Sequence, residues 1–161
     1  VFQSQNEFER TIMPHAQGLL RFALRLRLDK AAAEDLAQET LLRAWRAFAQ
    51  FQPGTNARAW VYRILLNTFY ERGRHPWTFV PIVDRGADSG VVEQLEVRQA
   101  MDALPEEQRT VLLLNVVEGF TSSETAQILS VPIGTVMSRA SRARQSLREK
   151  LSACVHSGKG L

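Results

Sequence analysis

The segment Thr121–Leu151 constrains this 161-residue chain more than any other. Val136, Ala140, Ala143 and Leu147 line up as one apolar stripe on a helix of 3.6 residues per turn. Thr135, Ser138, Arg139 and Arg142 fall on a different, polar face of the same helix. Ahead of it, Thr121-Ser122-Ser123-Glu124 has the form of a capping box, in which a hydroxyl and a carboxylate reciprocally satisfy backbone N–H groups. A short helix with Ala126, Ile128 and Leu129 on its inner side follows, and Ser130-Val131-Pro132 makes the turn into the long helix at Ile133. Two helices joined in this way, the second burying one stripe and presenting a basic one, form a helix-turn-helix suited to a DNA major groove. Small hydroxyls let such a face approach base edges while arginines hold phosphates. An ordinary helical hairpin with a basic outer face would share the pattern; the basic helix favours DNA.

The rest of the chain is also helical in period, and no segment alternates as a strand. Leu19, Leu20, Phe22, Ala23, Leu26 and Leu28 read as a buried helix entered near Pro14, and Asp29 as an N-cap or turn residue. In the next helix Leu36, Leu41, Ala44, Trp45 and Phe48 supply an apolar face, with Glu34, Asp35, Gln38, Glu39 and Arg43 largely off it. Phe51-Gln52-Pro53-Gly54-Thr55-Asn56 breaks the pattern. A third helix runs from about Ala57 to Arg72, ended by Gly73 and Pro76. Periodicity disappears from Trp77 to about Val92, where Pro, Gly and scattered charges read as a linker that tacks Trp77, Phe79 and Ile82 onto a surface. It resumes from Glu93 through Leu104. Pro105 with Glu106 and Glu107 suits the first turn of a helix running through Val111, Leu112, Leu114 and Val117 to Gly119. The expected fold is all-α, with two small helical domains (1–76 and 93–155) joined by a flexible linker (77–92) and ending in a frayed tail (156–161).

Charge distribution narrows the function. Residues 58–74 hold four arginines against Glu71, and residues 132–150 hold five bases against Glu149. Between them, Asp84–Glu96 carries four acids against Arg85. Two basic blocks separated by an acidic stretch suit two nucleic-acid contacts, although solvated helix faces would look similar. The single cysteine, Cys154, cannot make an internal disulfide, which fits a reducing cytoplasm. His15, His75 and His156 lie far apart, so no metal or other cofactor is expected. No apolar run approaches a membrane span, and Val1–Arg10 lacks the order of a signal peptide. A start at Val1 rather than Met reads as trimmed or processed.

The first module joins an acidic helix face, a polar loop and a helix with Trp60, Tyr62, Phe69 and Tyr70 among arginines. Aromatics interleaved with bases suit single-stranded DNA, since bases stack on rings while arginines hold the backbone. The same aromatics also suit a core, and for Trp60 packing is at least as natural.

These residues resemble a known family. Ala33–Trp45 looks like region 2.2 of the extracytoplasmic-function (ECF) sigma factors of the sigma-70 family. Pro53–Asn56 with Trp60–Asn67 looks like regions 2.3 and 2.4. Leu104–Arg109, Val117–Phe120 and Val131–Arg139 resemble region 4 and its helix-turn-helix. The resemblance implies a non-enzymatic promoter-recognition factor that binds core RNA polymerase through the β′ clamp helices and β subunit. Asp35, Gln38, Glu39 and Leu42 would dock on the clamp helices. Gly54, Thr55 and Asn56 would capture an extruded base of the −10 element, which an amide can read by paired hydrogen bonds. Trp60, Arg63, Asn67, Tyr70, Arg72 and Arg74 would track that strand, and Thr135, Ser138, Arg139, Ser141 and Arg142 would read the −35 element. An anti-sigma factor is an implied partner. Met137, Ala140 and Thr125 depart from the family pattern. Met137 after Ile-Gly-Thr-Val, together with Asn67–Tyr70, resembles a subgroup that answers thiol oxidation through a zinc-containing anti-sigma protein.

The main alternative is a two-domain helix-turn-helix regulator that binds duplex DNA without polymerase. It would need a ligand pocket or a phosphorylatable Asp on a strand, and the pattern offers no strand. An enzyme would need a nucleophile with a base, or carboxylates with a basic or metal partner; Glu34, Asp35 and Glu39 sit on a solvated helix face. No catalytic residue is expected.

Overall fold

The computed structural model describes residues 2–26, 29–72 and 91–157, and among these there is no strand. Residues 77–90 of the expected linker, Leu28, Gly73, Arg74, Pro76 and the last residues of the tail lie outside them, whereas Val91 and Val92, expected to close the linker, already belong to a helix. The chain divides into two compact units, one carrying the helices up to Arg72 and the other those from Val91 onward, except that Gln127–Ser130 group with the first.

In the first unit, α1 (Phe2–Thr11) is followed by a 3-10 turn at Met13–His15, then α2 (Ala16–Arg25), α3 (Lys30–Ala47) and α4 (Ala57–Arg72). The sequence pattern missed α1. Among its described side chains only Phe8 is buried, with Ile12 just beyond its end, too few to draw an apolar stripe. It is held by tertiary packing: the Phe8 ring meets Trp45 and Phe48 edge-on, with centroids 5.1 and 5.3 Å away. The core of α2–α4 is Leu19, Phe22, Leu26, Leu36, Val61, Tyr62, Leu65 and Leu66.

Asp29 caps α3 as its position suggested, its carboxylate accepting the Ala32 N–H at 2.7 Å. The inner face of α3 is rotated from the expected one, however. Leu36, Ala37, Thr40 and Ala44 are buried, Leu41 is half-buried, and Trp45 lies on the rim with 41% of its surface exposed. Small residues face inward because α2 and α4 both pack on this helix. The hydroxyls of buried Thr40 and Thr68 donate to the carbonyls of Leu36 and Ile64, one turn back, so neither is buried unsatisfied. Gly18 gives α4 room, since a Cβ there would stand 3.0 Å from the Tyr62 hydroxyl oxygen.

The second unit comprises α5 (Val91–Asp102), α6 (Glu106–Leu112), a π-helical turn at Leu113–Val117, α7 (Ser122–Leu129) and α8 (Ile133–Ser157). Pro105 occupies the N-cap of α6 rather than its first turn, and Val117 is exposed rather than inward-facing. The π turn re-phases the chain there, and Gly119, at φ +74°, ends it in the left-handed region. Leu104, Leu112 and Ala143 form a buried cluster with Met101 and Leu147 packed against it. Helix α8 continues through Ser157, past the expected boundary at residue 155.

Candidate nucleic-acid and protein interfaces

The helix-turn-helix is built as its local sequence dictates. The Thr121 N–H donates to Glu124 Oε2 at 2.7 Å, and the Glu124 N–H donates to Thr121 Oγ1 at 3.1 Å, completing the capping box of α7. At the other end of α7, the Val131 N–H reaches the Ala126 carbonyl and the Ser130 N–H that of Gln127, the two bonds of a Schellman motif. Its left-handed position is taken by Ser130, at φ 55°, where glycine is the usual occupant. Thr125, a departure from the family pattern, is fully buried and donates its hydroxyl to Asn115 Oδ1 on the π turn.

On α8 the buried stripe is Val136, Ala140 and Ala143, with Leu147 half-buried. Of the expected −35 residues, Ser138, Ser141 and Arg142 are exposed, whereas Thr135 and Arg139 are half-buried. Arg139 is not an open guanidinium: its Nη2 lies 2.9 Å from Glu107 Oε2 on α6. Met137, Gln145 and Arg148 share the exposed side but were not among the expected contacts. For Gln145 the sequence carried a usable signal, because Ser138, Ser141 and Gln145 follow at +3 and +4.

In the first unit, the loop before α4 turns at Gly54, whose φ of +83° favours glycine, and no atom lies within 4 Å of where its Cβ would be. Thr55 folds back on the loop, donating its hydroxyl to the Gln52 carbonyl at 2.7 Å. Asn56 is the N-cap of α4: its Oδ1 accepts the Ala59 N–H at 3.0 Å. Asn56, Trp60, Arg63, Asn67 and Tyr70 then follow at +4, +3, +4 and +3, a single stripe along α4. All are exposed except Trp60, which is half-buried with its ring tilted on Phe51 at 5.1 Å. Phe51 in turn stacks on Phe48 at 5.8 Å. Trp60 therefore belongs partly to packing and partly to the surface. Trp45, Phe48, Phe51 and Pro53 line an open groove of about 390 Å³ beside this loop.

The four expected protein-contact residues of α3 separate into two groups. Asp35, Gln38 and Leu42, at +3 and +4, form an exposed row with the rim residue Trp45 next along it. Glu39 is half-buried and turned toward arginines, with Arg43 Nε at 2.8 Å and Arg72 Nη2 at 3.8 Å. Arg43 also bonds Glu71 on α4. The hydrogen bond from Arg43, aided by the charges of Arg43, Arg72 and Arg46, holds the Glu39 carboxyl below its ordinary value despite some desolvation. Glu71 and then Glu39 raise the Arg43 guanidinium correspondingly. Arg72, expected on DNA, is thus held against an acid in this structure.

Among the described residues no group of three or more His, Cys, Asp or Glu is placed to hold a metal ion, and no helix is long and apolar enough to cross a membrane.

Residues 11–77 match the model of sigma-70 region 2, and residues 94–147 that of sigma-70 region 4. The chain is 36% identical over 145 residues to the ECF RNA polymerase sigma factor EcfG of Rhodopseudomonas palustris, covering 84% of this chain and 80% of that one. Among solved structures it is similar to the sigma factor RpoE in complex with the anti-sigma factor NepR from Bartonella quintana. That similarity has a TM-score of 0.78 at 30% identity over 91% of this chain and 97% of the other. It is also similar to CnrH in complex with the cytosolic domain of CnrY, with a TM-score of 0.73 at 26% identity over 92% of this chain and 90% of the other.

Proposed function

Because this chain belongs to the ECF RNA polymerase sigma factors, with sigma-70 regions 2 and 4 in order, we propose that each of its exposed rows serves one step of transcription initiation. The protein is a non-enzymatic, alternative sigma factor that binds core RNA polymerase and directs it to promoters through −10 and −35 elements. The row Asp35, Gln38 and Leu42 docks on the polymerase clamp, where its carboxylate disfavours DNA and its apolar group favours protein. Glu39 supports that row from the α3–α4 ion pairs. The stripe Asn56, Trp60, Arg63, Asn67 and Tyr70, with Gly54 and Thr55 before it, takes the −10 strand. It offers ring faces for stacking and a cation for the backbone. The α8 face Ser138, Ser141 and Arg142, flanked by Thr135 and Arg139, takes the −35 duplex.

The observation that carries this reading is the coexistence of two separate DNA-suited faces on α4 and α8 with a third, acidic and apolar face on α3. A regulator that bound duplex DNA by itself would need only the α8 face. Run-off transcription with purified core polymerase on a randomised promoter library tests it. Transcripts that require this protein are expected. Tight duplex binding without polymerase, and no transcription with it, would favour the regulator instead.

Control by an anti-sigma factor is supported by the similar sigma factor RpoE, which is in complex with the anti-sigma factor NepR. A partner covering the α3 row and the α4 stripe would block polymerase and DNA together. The resemblance of Asn67–Tyr70 and Met137 to the thiol-stress subgroup makes a zinc-containing anti-sigma protein the candidate, and the cytoplasm the site of action. Release of the complex by a thiol oxidant is the test. The boundaries 1–76 and 93–155 are proposed as separate folding units, checked by whether each piece unfolds cooperatively when expressed alone.

A further inference from the structure

We propose that Met137 is a specificity-determining residue of the −35 contact, reading the C5-methyl group of a thymine in the major groove. The inference deepens the proposed use of α8 and rests on it.

Two rows at i, i+4 spacing run along the exposed side of α8 from its first turn. One is Gly134, Ser138 and Arg142; the other is Ile133, Met137 and Ser141. In the second row Ile133 is 49% and Met137 59% exposed, so both hold apolar surface in water beside a polar face. The buried stripe at Val136, Ala140 and Ala143 faces another way, so neither side chain completes the core. Gly134 lies beside them with no atom within 4 Å of where its Cβ would stand, and its φ is not positive. Neither backbone conformation nor crowding therefore calls for glycine, which has a lower helix propensity than alanine. What the missing side chain provides is a low helix surface at the first turn, where a recognition helix comes nearest to base edges.

A methionine at such a position has no strong donor or acceptor to offer guanine, cytosine or adenine. Thymine is the base that presents an apolar group in the major groove, its C5-methyl, and an apolar side chain can select for it. Met137 is long and unbranched, so it can reach past the bare backbone at Gly134, and Ile133 one turn earlier extends the apolar contact.

The test uses the full-length protein in holoenzyme and the −35 element enriched from a randomised promoter library by run-off transcription. Each thymine of that element, on either strand, is replaced singly by uracil, which removes the methyl and keeps the pairing. With the wild-type protein, one uracil is expected to lower open-complex formation about fourfold, the worth of one buried methyl. Met137→Ala should show a similar loss on the thymine template and no further loss on the uracil one, while Met137→Leu should restore discrimination. Met137 is exposed, so these variants should melt like the wild type. Uracil tolerated at every position, a selected element lacking thymine, or an undiminished uracil penalty in Met137→Ala would each overturn the assignment. A library giving no transcript at all would overturn the proposed function along with it.

Discussion

Asn56 has two jobs in our reading, and one pair of substitutions separates them. Its Oδ1 accepts the Ala59 N–H at 3.0 Å, which makes it the N-cap of α4. Removing an Asn cap costs about 1 kcal/mol, within a range of roughly 0.5–2. In a domain of this size that lowers the melting temperature by about 4–8 °C. Serine caps a helix about as well as asparagine but has no amide with which to read a base. Asn56→Ala should therefore melt several degrees lower, and Asn56→Ser should melt like the wild type. If Asn56 also captures an extruded base, both variants lose a contact worth about 1–3 kcal/mol. Open-complex formation should then fall about 5- to 150-fold in each. Thermal unfolding by circular dichroism and permanganate footprinting of a cognate promoter give the two readouts. Promoter opening by Asn56→Ser at the wild-type level would refute the base-reading role and leave only the cap. An unchanged melting temperature in Asn56→Ala would refute the cap.

Asp35→Lys should weaken core-polymerase binding in a pull-down without lowering stability, because Asp35 is exposed on the docking row. Glu39→Gln should instead lower stability, and in a pH-dependent way. The folded carboxyl titrates below its ordinary value of 4.5, so the unfolded chain takes up the proton first as pH falls. The stabilisation is complete above 4.5 and is lost through the lowered folded value; urea midpoints of wild type and variant should converge there, and parallel curves would count against the ion pair. Arg139→Ala should weaken all −35 variants alike and flatten the salt dependence by about one phosphate's worth, whereas Arg142→Ala should change which variants are preferred. Glu107→Gln, which releases Arg139 from its 2.9 Å partner, should raise affinity evenly, and an inverted pattern between the two arginines would mean that their places on α8 are misread. Ser130→Gly should stabilise the protein by about 0.5–1 kcal/mol: it relieves a left-handed residue costing about 1–2, offset by glycine's greater entropy when unfolded. A lower urea midpoint in that variant would contradict this.

What was legible in the sequence was local. The Asp29 cap, the Thr121–Glu124 box, the Gly54 and Gly119 turns and the stripe Val136–Ala140–Ala143 all arise between residues at most seven positions apart. Backbone sterics and helical period act at that range, so residue type alone specifies them. The family resemblance added order across the whole chain, but not the geometry of any side chain. Tertiary packing decided the rest. It formed α1 by seating Phe8 on Trp45 and Phe48, and it turned α3 so that Trp45 lies on the rim and Thr40 inside. It joined Arg43 to Glu71 across 28 residues, and it brought Glu107 of α6 to Arg139 of α8. A long charged side chain can meet many partners. The choice is made only when helices far apart in sequence are set side by side, and no periodicity records that.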